Sequence, residues 1–240
     1  MRIHVAFTPA EAASAPLGIV VDVIRATSSI AQALASGYER VLCCAEIDEA
    51  RALREELGDE AVVGGERNAI VVDGFDVGAS PREFAGLPKA RTLILTTTNG
   101  TRSILTAASE CDIVLLGSLL NLSAVAEAAR REGGAVAVVC SGFKGTFALD
   151  DAYCAGRIVD AIGGEHSDAA IAASTLAAVW PDPLAGLNAR TYGPPGLEDD
   201  IRHCAQVDYL SVVPRFTGMK GDAAEIRGDH DRRRNEAVRG

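Results

Sequence analysis

The chain has 240 residues, 48% of them hydrophobic, and its formal net charge at pH 7 is −10. A chain this apolar can bury a large core, which excludes an intrinsically disordered protein. A nucleic-acid-binding protein needs a basic face, and the part of this acidic sequence that is expected to fold contains none. Nucleic acid is therefore not an expected partner.

The cellular location is predicted from the apolar runs and the cysteines. The runs are far shorter than the roughly 20 residues of a membrane-spanning helix, so no membrane partner is expected. The six cysteines form no CxxC pair, and Cys43, Cys44 and Cys140 lie within apolar runs. Reduced, buried cysteines are typical of cytoplasmic proteins, and a cytoplasmic location is predicted.

Short apolar runs alternate with amphipathic stretches along most of the chain. The runs are continuous, which is typical of parallel strands that are covered on both faces. The predicted fold class is therefore α/β, with a largely parallel sheet and helices on both faces. Strands are expected at residues 3–7, 19–23, 40–45, 61–65, 92–98, 112–118 and 135–141, with a further strand-like run at 209–213.

Capping residues mark the ends of the predicted helices. Ser80-Pro81-Arg82-Glu83 has the capping-box arrangement, with proline at the first helical position. Residues 181–196, rich in proline and glycine, are predicted to be a loop. Helices are expected at residues 27–37, 48–58, 99–109, 121–132, 150–163, 169–180 and 197–207.

The domain organisation follows from the same patterns. Residues 1–216 are predicted to form one α/β domain, and the portion after residue 165 could be a second lobe. Residues 217–240 have clustered charges and are predicted to be a flexible tail. The oligomeric state stays open, a homo-oligomer included.

Polar side chains collect where the predicted strands end. Ligands of open α/β sheets bind at the carboxyl ends of the strands. Carboxylates there suit Mg²⁺, whereas arginines and helix N-termini suit phosphate or sulfonate oxygens. Each residue also has a purely structural explanation, as a turn, a cap or a surface ion pair. The residues are Asp22, Arg25, Thr27, Glu66, Arg67, Thr98, Asn99, Gly100, Thr101, Ser118, Asn121, Lys144, Asp150 and Asp151.

Several common catalytic motifs are missing from the sequence. It contains no GxxxxGK[ST] phosphate loop, no GxGxxG after a predicted strand and no GxSxG nucleophile elbow. The four histidines are scattered and show no zinc-binding spacing. P-loop proteins, nicotinamide-dependent enzymes and α/β-hydrolases are therefore excluded.

Five segments together resemble the 2-phosphosulfolactate phosphatase (ComB) family. They occur in the family's order and at compatible spacing, over about residues 18–160. One departure is Ala79, at a position where family members commonly have asparagine in Gly-Asn-Ser-Pro. The segments are VVDVIRATSSIAQALASG (20–37), GGERNAIVVDGFDVGASP (64–81), TTTNGTRSI (96–104), GSLLN (117–121) and LDD…CAG (149–156).

The resemblance implies a family-specific α/β fold and a Mg²⁺-dependent phosphatase. Its substrate would be the small anionic ester 2-phospho-3-sulfolactate, and its product 3-sulfolactate would feed coenzyme M synthesis. Because of Ala79, a different small phosphate ester stays an alternative substrate. The residues that match the family's motifs are Asp22, Arg25, Thr27, Glu66, Arg67, Asn99, Gly100, Thr101, Asn121 and Asp151.

The roles of these residues are set out as a hypothesis. Asp22, Glu66 and Asp151 would hold Mg²⁺, and either water with Glu66 as base or Asp22 as nucleophile would attack phosphorus. The other matching residues would bind substrate, with Arg25 and Arg67 as a clamp for its oxyanions. A non-catalytic protein that binds organic phosphates or sulfonates is the alternative from another functional class. The predicted substrate-binding residues are Arg25, Thr27, Arg67, Asn99, Gly100, Thr101 and Asn121.

Overall fold

A single mixed β-sheet organises the described part of the chain, which is residues 1–11 and 14–229 of a computed structural model. Within these residues the sheet has eleven strands. All seven strands predicted before residue 142 are present, and four more are added to them. The strands are β1 (Arg2–Ala6), β2 (Ala15–Val21), β3 (Arg40–Cys43), β4 (Ala61–Arg67), β5 (Ile70–Val71), β6 (Thr92–Thr96), β7 (Cys111–Gly117), β8 (Val136–Cys140), β9 (Glu165–His166), β10 (Pro214–Lys220) and β11 (Ala223–Gly228).

Eight α-helices flank the sheet in the described residues. The predicted capping box is present, but it opens a short 3₁₀-helix, Pro81–Phe84. None of the helices in residues 1–11 and 14–229 has the length and apolarity needed to cross a membrane. The helices are α1 (Ala26–Ala35), α2 (Ile47–Leu57), α3 (Gly100–Glu110), α4 (Leu122–Glu132), α5 (Leu149–Ile162), α6 (Asp168–Val179), α7 (Pro183–Asn188) and α8 (Glu198–Cys204).

The strand order is β5-β4-β6-β3-β11-β10-β7-β2-β8-β1-β9. Strands β4, β6 and β3 form one parallel block, and β7, β2, β8, β1 and β9 form the other. Between the blocks lies the antiparallel hairpin β10–β11, so the two blocks run in opposite directions. Residues at the carboxyl ends of β2 and β8 in one block and of β4 and β6 in the other nevertheless lie close together.

Both faces of the sheet are buried, as the continuous apolar runs predicted. In β2, Ile19 and Val21 pack with α4, α5 and α6 on one face, and Val20 packs with α1 and α3 on the other. A third cluster, which includes Leu42 and Ile94, lies under α2. The predicted α/β class, with a mainly parallel sheet and helices on both faces, is confirmed.

The predicted flexible tail is wrong for residues 217–228. These residues belong to the β10–β11 hairpin, which lies in the middle of the sheet. The clustered charges that suggested a solvated tail are instead paired, since Glu225 contacts both Arg40 and Arg227. Arg215 likewise pairs with Glu132. Residues 230–240 of the predicted tail lie outside the described residues.

Two smaller differences concern the region after α6. The predicted loop at residues 181–196 contains the short helix α7, which Asp182 caps by accepting a hydrogen bond from Ala185 N–H at 2.9 Å. The strand-like run at 209–213 is not a strand, and β10 begins only at Pro214. Asn121 satisfies the carbonyl of Val212 from the side, which removes the need for a strand partner there.

Candidate active site

One cavity of about 680 Å³, including its solvent-open mouth, lies where strand ends of both blocks meet. One wall consists of residues that lie in or follow β2, β4, β6 and β8, together with the start of α5. A second wall comes from residues 190–197, which lie between α7 and α8. We call these the strand-end wall and the α7–α8 wall.

Asp22 follows β2 and lies on the strand-end wall. Its Oδ1 accepts a hydrogen bond from Ala26 N–H at 3.1 Å, and its Oδ2 has no hydrogen bond with any described residue. A Cβ atom at Gly100 would lie 2.6 Å from this Oδ2, so only glycine fits there. The pKa of Asp22 is raised to about 7, mainly by burial and also by the nearby charges of Asp150 and Glu66, while the hydrogen bond from Ala26 N–H opposes the rise.

Arg25 lines the cavity from the connection between β2 and α1. Its Nη1 donates to Asp200 Oδ2 at 2.8 Å, and both side chains are largely buried. The other oxygen of Asp200 accepts from the Ser80 hydroxyl at 2.6 Å. Asp200, on α8, therefore sets the direction in which the Arg25 guanidinium points.

Glu66, at the end of β4, is held by three hydrogen bonds. Its Oε1 accepts from Thr98 N–H at 2.8 Å and from the Thr98 hydroxyl at 2.9 Å. Its Oε2 accepts from Ala69 N–H at 2.6 Å. The carboxylate thus joins the turn after β4 to the loop after β6, and both of its oxygens are occupied.

Asp150 and Asp151 open α5 and are both buried. Asp151 accepts from Val23 N–H at 2.9 Å and from Gly142 N–H at 3.0 Å, so it joins the ends of β2 and β8. Burial raises the pKa of both carboxyls, and for Asp150 the charge of Arg190 opposes that rise. Four carboxylates, including Asp22 and Glu66, therefore share one desolvated cavity.

The sequence analysis missed Arg190 and Tyr192, which lie on the α7–α8 wall. Arg190 Nη1 is 3.7 Å from Asp150 Oδ2. The Tyr192 ring stacks on Phe143 with centroids 4.7 Å apart. The sequence shows an arginine and a tyrosine inside a proline- and glycine-rich segment, which could have marked them as candidates. Nothing in the sequence, however, places that segment beside α5.

Of the ten residues that match the family's motifs, five line the cavity. They are Asp22, Arg25, Glu66, Asn99 and Asp151. Asn99 precedes α3, and its Oδ1 accepts from Lys144 N–H at 3.2 Å. The wall therefore joins residues that are far apart in the sequence, as the positions of the strand ends predicted.

The other five of these residues do not line the cavity, and they contact residues near it instead. They are Thr27, Arg67, Gly100, Thr101 and Asn121. The Thr27 hydroxyl donates to the carbonyls of Asp22 and Gly117, and it is fully buried. Gly100 leaves room for Asp22, as described above. The Thr101 hydroxyl donates to the carbonyl of Thr97 at 3.2 Å.

Asn121 and Arg67 likewise make hydrogen bonds within the protein. Asn121 is fully buried, accepts from Ser118 and donates to the carbonyls of Leu116 and Val212. The Arg67 guanidinium donates to the carbonyls of Glu66 and Ala45 and to the Thr96 hydroxyl. The geometry thus gives these two side chains structural contacts rather than a place in the cavity.

The predicted ligand set Asp22, Glu66 and Asp151 is not assembled as a closed metal site. Among residues 1–11 and 14–229, no three His, Cys, Asp or Glu side chains form a group that could hold a metal ion by themselves. A magnesium ion usually needs only one or two carboxylates, because waters and substrate phosphate complete its octahedron. The carboxylates of this cavity are compatible with that kind of site.

An α/β fold with buried carboxylates and arginines in a cavity at its strand ends is typical of proteins that bind small anionic molecules. A family model described as 2-phosphosulpholactate phosphatase matches residues 4–218. The chain belongs to this family, as the resemblance predicted.

Three relatives illustrate how completely the chain matches other proteins. Each of them is described as a probable 2-phosphosulfolactate phosphatase. The Thermus thermophilus protein is 36% identical, over 93% of this chain and 98% of its own length. The Symbiobacterium thermophilum protein is 36% identical, over 87% and 94%. The Gloeobacter violaceus protein is 39% identical, over 83% and 87%.

Proposed function

We propose that the protein is a Mg²⁺-dependent phosphatase that hydrolyses 2-phospho-3-sulfolactate to 3-sulfolactate and phosphate, a reaction of the coenzyme M biosynthesis type. The observation that carries this proposal is the cavity in which Asp22 and three further carboxylates face Arg25 and Arg190. The full-length similarity to relatives named as probable 2-phosphosulfolactate phosphatases supports the choice of substrate.

Asp22 is the residue best suited to hold Mg²⁺. It keeps one oxygen without a hydrogen bond, while both oxygens of Glu66 and of Asp151 accept from backbone amides. Desolvated carboxylates that raise each other's pKa favour a cation among them. When bound there, Mg²⁺ would neutralise charge on the phosphoryl oxygens.

The residues around Asp22 orient the phosphoryl group. Arg25, fixed by Asp200, presents its remaining N–H groups to phosphate oxygens in a planar fork. While one oxygen of Asp22 would hold Mg²⁺, the other acts on the reacting centre, either by taking a proton from the attacking water or by attacking phosphorus itself. In the second case the ester oxygen leaves with 3-sulfolactate, and water then hydrolyses the phosphorylated Asp22. A phosphorylated Asp22 in acid-quenched protein would establish the second route, and its absence during turnover would establish the first.

Glu66 has a different part in this proposal from the one that the sequence suggested. Both carboxylate oxygens of Glu66 already accept hydrogen bonds from Thr98 and Ala69, so neither oxygen is free to accept a proton from an attacking water. Glu66 therefore positions Thr98 and Ala69 beside the substrate rather than activating water.

A second candidate, a phosphatase for a different small ester, is favoured by Ala79. This residue lies in the cavity wall, and its carbonyl is fixed by the Ser29 hydroxyl at 2.7 Å. Its methyl group offers a substrate no hydrogen bond, whereas an asparagine there would. If the substrate is 2-phosphosulfolactate, Ala79→Asn should improve kcat/KM for it.

The deciding experiment measures phosphate release from 2-phosphosulfolactate, with Mg²⁺ and after EDTA, beside a panel of other small phosphate esters. Selective release that depends on Mg²⁺ supports the proposal in full. Preferential release from another ester supports the second candidate. If no ester releases phosphate and EDTA changes nothing, the protein is not this kind of phosphatase.

A further inference from the structure

We propose that Arg190 binds the second oxyanion of the substrate, the sulfonate or carboxylate that is not being hydrolysed, and so determines specificity. This inference rests on the phosphatase function proposed above. It assigns the α7–α8 wall to recognition, and it replaces Arg67 with Arg190 as the second arginine of the substrate clamp.

The guanidinium of Arg190 is available to a ligand. Its nearest charged partner, Asp150 Oδ2, is 3.7 Å from Nη1, which is too long for a hydrogen bond. Among the described residues the Arg190 side chain makes no hydrogen bond, although it is only 12% exposed. By contrast, Arg67 donates to three oxygens of the protein.

The loop around Arg190 is shaped to hold the guanidinium in place. Gly193 has φ +127°, and a Cβ atom there would lie 2.8 Å from Arg190 Nη1. Glycine thus leaves room for the guanidinium to fold back over its own loop. The neighbouring Tyr192 stacks on Phe143, and its hydroxyl donates to the carbonyl of Phe147 at 3.2 Å.

The lining of the cavity includes a second arginine, which lies on the α7–α8 wall. Four carboxylates line the cavity, and Arg25 and Arg190 are the arginines among the described residues that line it. A substrate with phosphate and a second oxyanion places its two charged ends apart. Arg190 lines the same cavity as Asp22 and Arg25, so its free fork can bind an oxyanion of the substrate other than the phosphate held by Arg25, and its planar geometry matches a carboxylate or sulfonate.

The experiment uses three phosphate esters that differ in the oxyanions they carry besides phosphate, the first of which has both a sulfonate and a carboxylate. They are 2-phosphosulfolactate, 2-phospholactate without the sulfonate, and the phosphate ester of isethionate without the carboxylate. The variants are Arg190→Lys, which keeps the charge but loses the fork, and the double variant Arg190→Met/Asp150→Asn, which also removes the carboxylate that would lose its arginine partner. Arg202→Lys, on the exposed face of α8, is the matched control.

We expect Arg190→Lys to lower kcat/KM at least tenfold more for esters that carry the recognised group than for the ester that lacks it. A selective loss on both sulfonated esters identifies the sulfonate, and a selective loss on both carboxylated esters identifies the carboxylate. Either result supports the proposal. An equal loss on all three esters, or a change no larger than that of Arg202→Lys, overturns it.

A binding measurement separates this inference from the proposed function. The dissociation constant of 3-sulfolactate, measured by calorimetry, should rise at least tenfold in Arg190→Lys, and that of inorganic phosphate should change less. This result supports Arg190 even if the wild-type protein hydrolyses no ester, in which case only the phosphatase function fails. Equal affinity of the wild type and Arg190→Lys for 3-sulfolactate overturns the role of Arg190.

Discussion

The two walls of the cavity are built in different ways. On the strand-end wall, Asp22, Glu66 and Asp151 each accept hydrogen bonds from backbone amides, so the sheet fixes their positions. On the α7–α8 wall, Arg190 and Tyr192 depend on an aromatic stack and a long ion pair. The difference suggests that the groups for chemistry are rigid, and that the groups for recognition can change without disturbing the sheet.

Asp22→Asn should have the largest effect on catalysis. The substitution keeps the shape of the side chain but removes the charge of its one oxygen without a hydrogen bond. We expect kcat/KM to fall by about 4 kcal/mol of transition-state stabilisation, roughly a thousandfold, in steady-state assays with Mg²⁺. Asp73→Asn, on the exposed turn after β5, is the control. Turnover near that of the wild type would remove Asp22 from the mechanism.

Asp200→Asn should have the next largest effect, because it releases Arg25. An amide can still accept from Ser80, but it no longer pairs with the guanidinium. Breaking one partner of a buried charge pair costs about 2–5 kcal/mol. We expect KM to rise at least tenfold while kcat changes less, since the proposed function assigns substrate binding to Arg25 and chemistry to Asp22.

The control for Asp200 is its neighbour on α8. Asp199 is 62% exposed and pairs only with Arg82 and Arg202 among the described residues. Asp199→Asn should leave KM within twofold of the wild type. If Asp200→Asn lowers thermal stability but leaves KM unchanged, Asp200 has a structural role and does not position Arg25.

The strand-end wall could be predicted from the sequence, because continuous apolar runs mark the strands and polar residues follow them. The sheet topology brings Asp22, Glu66 and Asn99 together, even though they are far apart in sequence. Motif matching could not separate residues that face the cavity from those that support it. Thr27 and Asn121 match the family motifs equally well, yet they are fully buried.

The features that the sequence did not predict have a common physical cause, which is contact between segments far apart in the chain. The β10–β11 hairpin has the composition of a solvated tail, yet it lies in the middle of the sheet, where it pairs with β7 and β3 and where Arg40 and Glu132 neutralise two of its charges. Arg190 is equally unremarkable in sequence, since its place is set by Asp150 and by the stack of Tyr192 on Phe143. The local pattern of apolar and charged residues does not show which distant side chains contact each other.

Tyr192→Ala should affect recognition more than chemistry. Losing the stack on Phe143 releases the loop that carries Arg190, and an aromatic pair contributes about 0.5–1.5 kcal/mol beyond its buried area. We expect a roughly threefold to tenfold rise in KM for 2-phosphosulfolactate. Tyr192→Phe keeps the stack and should change KM less. A fall in kcat with unchanged KM would show that the two walls are not separate in function.

Arg67→Lys should change stability and leave substrate binding intact, which sharpens the contrast between Arg67 and Arg190. The Arg67 guanidinium joins Glu66, Ala45 and Thr96, so a lysine would lose at least one of these hydrogen bonds. Hydrogen bonds to charged groups contribute about 1.5–3 kcal/mol each, and in a protein of this size that lowers Tm by roughly 3–12 °C.

The assay that tests Arg67 measures thermal unfolding and KM on the same preparation. Arg91→Lys, which alters only an exposed pair with Glu39, should change neither quantity, because exposed ion pairs contribute at most about 1 kcal/mol. A large rise in KM for Arg67→Lys at unchanged Tm would mean that Arg67 contacts the substrate. Arg67 and Arg190 would then both bind the substrate. The proposed division of the cavity into a strand-end wall for chemistry and an α7–α8 wall for recognition would be wrong for Arg67.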